Sequence, residues 1–314
     1  MAMGYYFSLV AVVLVQLLFA GATDAARLYP TSQDEKFNTN GTSFLSHHAG
    51  LLQELADTDK SGSLITYWAT HRMHAGDTTG YYGFSVSMDV YDFSLTSEQS
   101  SLALVNIFSA TDGALSSENS IQIGWVVSPK TYGDSHAHLS AYWSTDGFQN
   151  SHCLNTRCPV GFQPEAGAAI VLGDIIEPVS QPNGIKQSVT IKVLKDGPSG
   201  DWLVHCGYNQ DAPALIGRYP RSLFPGGLAD RATHIHIGGA VVARSTDLVP
   251  MGSGYLPSTV AAASFNNFQI IDQNGQAWLV NHNVPGYLSQ PETYSLSPIV
   301  NGQFFYGGPY QSTT

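Results

Sequence analysis

Ser120-Ile121-Gln122-Ile123-Gly124-Trp125-Val126-Val127, stopped by Ser128-Pro129, is a run of β-branched and aromatic residues closed by a turn signal. A strand is written this way. The same texture recurs at 83–90, 101–108, 139–144, 188–194 and 202–207, then at 233–243, 264–271 and 304–306, each run bounded by Gly, Pro, Asn or Asp. Long helical periodicity is absent, and 31 Gly and 16 Pro spread through the chain interrupt helices wherever they would propagate. Many short strands at turn-marked spacing predict an all-β sandwich or barrel. No solenoid period and no heptad pattern is visible.

Upstream of this region the texture differs. Residues 8–20 form an almost unbroken apolar run that is too short to cross a bilayer and ends in small residues, so 1–25 are expected to be a signal peptide. The cut is expected between Ala22 and Ala26. Residues 26–66 are polar and mixed, carry a glycosylation acceptor at Asn40-Gly41-Thr42, and are expected to be an exposed leader to a domain over 67–314. A secreted, extracellular location follows, in the apoplast or cell wall, with no membrane attachment after signal removal.

Lys and Arg number 13 against 24 Asp and Glu, giving a formal net charge of −11 with no basic cluster. That argues against nucleic acid as a partner. Three cysteines are present. In an oxidising compartment Cys153 and Cys158 are expected to pair across a four-residue loop, and Cys206 to remain as a buried thiol. A Cys206/His205 dyad is disfavoured because adjacent strand residues point to opposite faces.

Three kinds of chemistry are conceivable from residue types alone. His234-Ile235-His236 places two imidazoles two apart, and His136 with His138 repeats the spacing, so a four-histidine metal site would require the two pairs to converge. Solvent-facing or hydrogen-bonded histidines are the commoner outcome, and no metal or cofactor is expected. Ser253 lies between Gly252 and Gly254, where a tight bend near a cleft or a plain turn is equally natural. Paired carboxylates would need acids among the strands. Asp134 and Asp146 sit in turn contexts, where a side chain caps its own backbone.

The ordered blocks go further. They begin with 120–129, then Tyr132-Gly133-Asp134, Tyr142-Trp143-Ser144-Thr145-Asp146-Gly147 and Cys153-Leu154-Asn155-Thr156-Arg157-Cys158-Pro159. Gly217-Arg218-Tyr219-Pro220, Gly238-Gly239-Ala240-Val241-Val242, Met251-Gly252-Ser253-Gly254 and Phe305-Tyr306-Gly307-Gly308-Pro309 follow. Together they resemble the neprosin family, plant secreted proteins with glutamic peptidase members that cut after proline at acid pH. The resemblance implies a single antiparallel β-sandwich of two large sheets with a substrate cleft on one face.

It also implies two catalytic glutamates, one in an Ile-Glu-Ala-Gly-Trp block and one in a Trp-Gly-Gly-Glu-Val block, which activate a water and protonate the leaving amide. Those positions here are Gln122 and Ala240. A carboxamide cannot titrate, and a methyl group has no oxygen. The expectation is therefore a pseudoenzyme that keeps an affinity for extended peptides, proline-containing ones among them, with Trp125, Tyr142, Trp143 and Ser253 as cleft candidates. The alternative of a working peptidase would need another acid, such as Glu118 or Asp134. Thr293 stands where the family commonly has a further cysteine.

Overall fold

The computed structural model describes residues 64–309, apart from 77, 78, 111–114 and 210. The expected signal peptide, most of the expected leader and Asn40 lie outside the described residues. Two antiparallel sheets face each other. The first runs, edge to edge, β15 (Gly286–Leu288), β1 (Leu64–His74), β11 (His234–Arg244), β3 (Ser100–Ser109), β4 (Asn119–Val127), β5 (Ala137–Ser144) and β6 (His152–Leu154). The second runs β12 (Met251–Gly252), β17 (Phe304–Gly308), β13 (Ala263–Ile271), β2 (Gly83–Asp89), β8 (Ser188–Lys195), β9 (Trp202–Tyr208), β10 (Ala214–Tyr219) and β7 (Gln163–Pro164). All nine runs recognised in the sequence are strands, and the architecture is the expected β-sandwich.

The core fills the space between the sheets. Val189, Ile191 and Val193 on β8 and Val204 on β9 meet Val105, Ile107, Ile123 and Trp125 from the facing sheet. β8 and β9 alternate buried and part-exposed residues, as a sheet with one wet face does. β3, β4 and β5 behave differently, since every residue in them is buried. Their even-numbered residues form a second apolar cluster on the side away from the sandwich core, with Leu102, Leu104, Val126 and Tyr142 joined by Trp68, Ala240 and Val242.

β1 starts at Leu64, ahead of the expected domain boundary, and is bonded to β11 over its whole length. Its other edge is held by β15, which pairs with residues 69–71. Cys153 and Cys158 are bonded, with Cα atoms 6.1 Å apart. Cys206 is a buried free thiol, and burial pushes its pKa up to about 12. A thiol so placed is inert, in keeping with its expected role as a small apolar side chain.

Candidate functional site

The face of the seven-stranded sheet that turns away from the core carries both singled-out positions. Strand period and register arrange its side chains in rows that cross the strands. One row contains Arg72, His236, Asn106 and Gln122, and continues to Tyr142 on β5. The next contains Thr70, Gly238, Leu104 and Gly124. The third contains Trp68, Ala240, Leu102 and Val126. Gln122 and Ala240 thus share a face but not a row. β3 runs between them, and they are offset by four residues, which puts their Cα atoms ~16 Å apart.

The surroundings of the two positions differ in polarity. Ala240 is fully buried among Trp68, Leu102, Leu104 and Val126. Gln122 is 2% exposed, and among the described residues neither its amide oxygen nor its amide nitrogen has a hydrogen-bond partner. Such a group costs ~1–3 kcal/mol when left unpaired and calls for an explanation. Nearby, Arg72 lies with its guanidinium carbon 3.8 Å over the Tyr287 ring. Burial pulls its pKa down to about 9, which still leaves it charged from acidic to neutral pH. His236 meets the edge of Phe108, and the Phe108, His234 and His74 rings stack beside it with centroids 4.6 and 4.4 Å apart.

This face is notable for what its strands omit. The outward positions of β1, β11, β3, β4 and β5 include Arg72, Arg244, His74, His138, His234 and His236 but no Asp or Glu. Glu118 is buried immediately before β4, and Asp134 lies beyond the other end of that strand. A nine-residue strand spans ~30 Å, so the two acids cannot share a water. Asp134 is also engaged: its Oδ1 lies 2.9 Å from His138 Nε2 and accepts the His136 N–H.

Several expectations are corrected by the geometry. Trp125 and Trp143 belong to the core between the sheets, because their odd positions on β4 and β5 point away from the candidate face. Trp125 donates its indole N–H to the Asp89 carbonyl at 2.9 Å. Tyr142 does face the site, stacked on Phe148 at 5.2 Å. Ser253 lies elsewhere, beside β12 of the other sheet, in a cavity of about 380 Å³ whose lining includes Phe93, Pro250 and Tyr255. Among the described residues no imidazole, amine or carboxylate lines that cavity to activate the hydroxyl.

The histidine pairs do not meet. His138 is opposite Val126, whereas the row of His236 reaches β5 at Tyr142, so the pairs are ~20 Å apart. No group of three metal-binding side chains occurs among the described residues. His136 and His138 instead fasten loops, with His136 Nδ1 3.1 Å from Asp92 Oδ2 and His138 Nδ1 2.7 Å from the Gly173 carbonyl.

The His136 pair sets a pH dependence. The bond to Asp92 raises the His136 pKa above its ordinary 6.5; desolvation opposes it, and the charges of Asp92, Asp134 and Glu177 add to the rise. A raised folded-state value means that the stabilisation is full below pH 6.5 and fades as pH rises through the folded value. The melting-temperature penalty of His136→Asn is accordingly expected to be larger at pH 5 than at pH 8. Equal penalties at the two pH values would show that the ion pair contributes nothing.

Comparison with known proteins adds the lineage. A family model described as Neprosin matches residues 97–309. Among solved structures, Scytalido-glutamic peptidase with a peptide-based transition state analog is similar at a TM-score of 0.41 and 10% identity, over 78% of this chain and 99% of that one. SCP-B, a member of the Eqolisin family of peptidases in complex with the tripeptide Ala-Ile-His, is similar at 0.38 and 8%, over 78% and 98%. Likenesses of this size carry no argument about activity.

Proposed function

This chain belongs to the Neprosin family, and from that premise we propose that it is a secreted member whose hydrolytic chemistry is impaired and whose groove still holds extended peptides. One observation supports the reading: where the resemblance to the family implies two catalytic glutamates the chain has Gln122 and Ala240, and no outward position on the strands of their shared face is an acid. Hydrolysis by paired carboxylates needs one group to take a proton from water and another to give one to the leaving nitrogen. Neither a carboxamide nor a methyl group does either. A carboxamide does offer both donor and acceptor atoms, the complement of a peptide group.

The test uses the full chain at acid pH with a proline-containing peptide. Mass spectrometry is expected to find no more product than an enzyme-free control contains, and calorimetric titration of the same peptide is expected to give a saturable heat. Cleavage above the control would remove the impairment from the proposal. A flat titration would remove the binding.

A further inference from the structure

The Gly252-Ser253-Gly254 motif has no part in hydrolysis, yet its geometry is specific. Gly252 and Gly254 have φ of +64° and +81°, in the left-handed region that favours glycine. A Cβ at Gly252 would lie 2.6 Å from the Ala263 Cβ, so the bend tolerates no side chain there. The bend places Ser253 in the wall of the cavity of about 380 Å³, a volume within the ~300–1,000 Å³ of small-molecule sites. Ser253 is 3% exposed. Its Oγ accepts the Tyr255 N–H at 3.3 Å, and among the described residues its own proton has no acceptor.

The lining chemistry narrows what can fill this space. No charged side chain lines the cavity, although the chain as a whole carries −11. An ionic ligand would give up water there without gaining a counter-charge. A wholly apolar ligand would strip water from the Ser94 and Ser253 hydroxyls and leave them unpaired. The rings of Phe93 and Tyr255 belong to the same lining. A pyranose meets both demands, because one side of its ring is a C–H surface that packs on an aromatic face and its rim is hydroxyl, both donor and acceptor.

A second cavity, of about 210 Å³, lies across the 181–184 loop, with Pro182 lining the first and Gln181 and Asn183 lining the second. The Asn183 amide donates to the Tyr255 hydroxyl at 2.6 Å and fastens this partition. Tyr91 adds a ring, so the second lining repeats the combination of an aromatic with neutral polar groups. Its one charge, Lys186, is already engaged by Asp89 Oδ2 at 3.1 Å and the Ala262 carbonyl at 2.8 Å.

We propose that the two cavities together bind a short neutral oligosaccharide, one sugar unit held by Phe93 and Ser253 and another by Tyr91 and Gln181. The cavity linings share no residue with the face that carries Gln122 and Ala240, so the proposal stands or falls independently of the peptide reading.

The test titrates the full chain, by calorimetry and saturation-transfer NMR, with cellotriose, mannotriose and xylotriose, and with the trimers of galacturonate and glucosamine as anionic and cationic comparators, each to about 10 mM. Saturable binding of at least one neutral trisaccharide is expected, with both charged trimers about tenfold weaker or worse. Ser253→Ala and Gln181→Ala are each expected to weaken the neutral sugar by about fivefold or more, with unchanged circular dichroism. Gln181 is on an exposed loop, so its variant keeps the test open if the Ser253 variant does not fold. Absence of binding by all three neutral sugars overturns the proposal, as does equal affinity for a charged trimer. Binding that is indifferent to Gln181→Ala overturns the two-cavity site.

Discussion

On the proposed reading, placing acids at the two positions where the resemblance implies glutamates, Gln122→Glu with Ala240→Glu, is expected to raise hydrolysis at acid pH by ~10²- to 10⁴-fold over the native chain, the contribution typical of positioned proton donors and acceptors. The register shows how they could cooperate despite their offset. Each glutamate reaches ~5 Å beyond its Cα, so two that both lie along the sheet, displacing Leu104 on β3, narrow the ~16 Å gap to ~6 Å at the closest. That is within the ~5–9.5 Å over which two carboxyl groups act on one water.

Their environments would divide the roles. A carboxyl at 240 would be surrounded by Trp68, Leu102 and Leu104 and driven toward its protonated form, while one at 122 would have Arg72 and His236 on its row. The first is suited to giving a proton and the second to taking one. Either single variant is expected to stay near the native level, because both roles are needed. The Ala240 change should also lower the melting temperature, since an acid replaces a methyl group in an apolar cluster. A native chain as fast as the double variant would show that the acids at these positions are not what is missing.

The sequence made the strands legible because their β-branched runs and turn residues agree with the tertiary structure. β1 escaped: Leu64-Ile65-Thr66-Tyr67-Trp68-Ala69-Thr70-His71-Arg72-Met73-His74 carries three imidazole or guanidinium groups in its last four residues and does not look like a strand interior. Its polar residues Thr70, Arg72 and His74 all point to the candidate face, and that alternation was the available signal. β7 and β12 have two residues each and are strands only because a partner lies beside them.

The misassigned tryptophans teach a sharper lesson. Gln122 and Trp125 are three apart on one strand, so period two sends them to opposite faces. Once Gln122 is placed in the groove, Trp125 must be core, and the same parity across β5 keeps Tyr142 in and sends Trp143 out. The strand period alone implies it. The polar row does not follow in that way, because Arg72, His236, Asn106 and Gln122 come from four strands and become neighbours only through register.

Asp89→Ala is expected to destabilise the protein by ~3–5 kcal/mol, because the two buried Ser264 donors lose a charged acceptor at ~1–3 kcal/mol each. Asp89 is 3% exposed, and its Oδ2 accepts the Ser264 N–H at 2.9 Å, the Ser264 hydroxyl at 2.8 Å and Lys186 Nζ at 3.1 Å. All three donors lose their acceptor when the carboxylate goes. For a domain of this size each kcal/mol corresponds to ~2–4 °C, so the melting temperature should fall by ~6–20 °C.

Lys186→Met removes the countercharge together with its hydrogen bonds to Asp89 and to the Ala262 carbonyl, and leaves the Ser264 donors their acceptor. The lysine side chain is 37% exposed, so solvent screens its attraction for Asp89 and its removal is expected to cost less than removal of the acid. Asp89→Asn should lie between the two, because it keeps an oxygen for the Ser264 donors. Trp125 reports on the same node from the facing sheet through its bond to the Asp89 carbonyl, so Trp125→Phe should weaken the link by only ~1 kcal/mol. The order Asp89→Ala, Asp89→Asn, Lys186→Met, from most to least damaging, is the discriminating result. If Lys186→Met proved as harmful as Asp89→Ala, the carboxylate's role would be to neutralise the lysine, and the Ser264 bonds would be incidental.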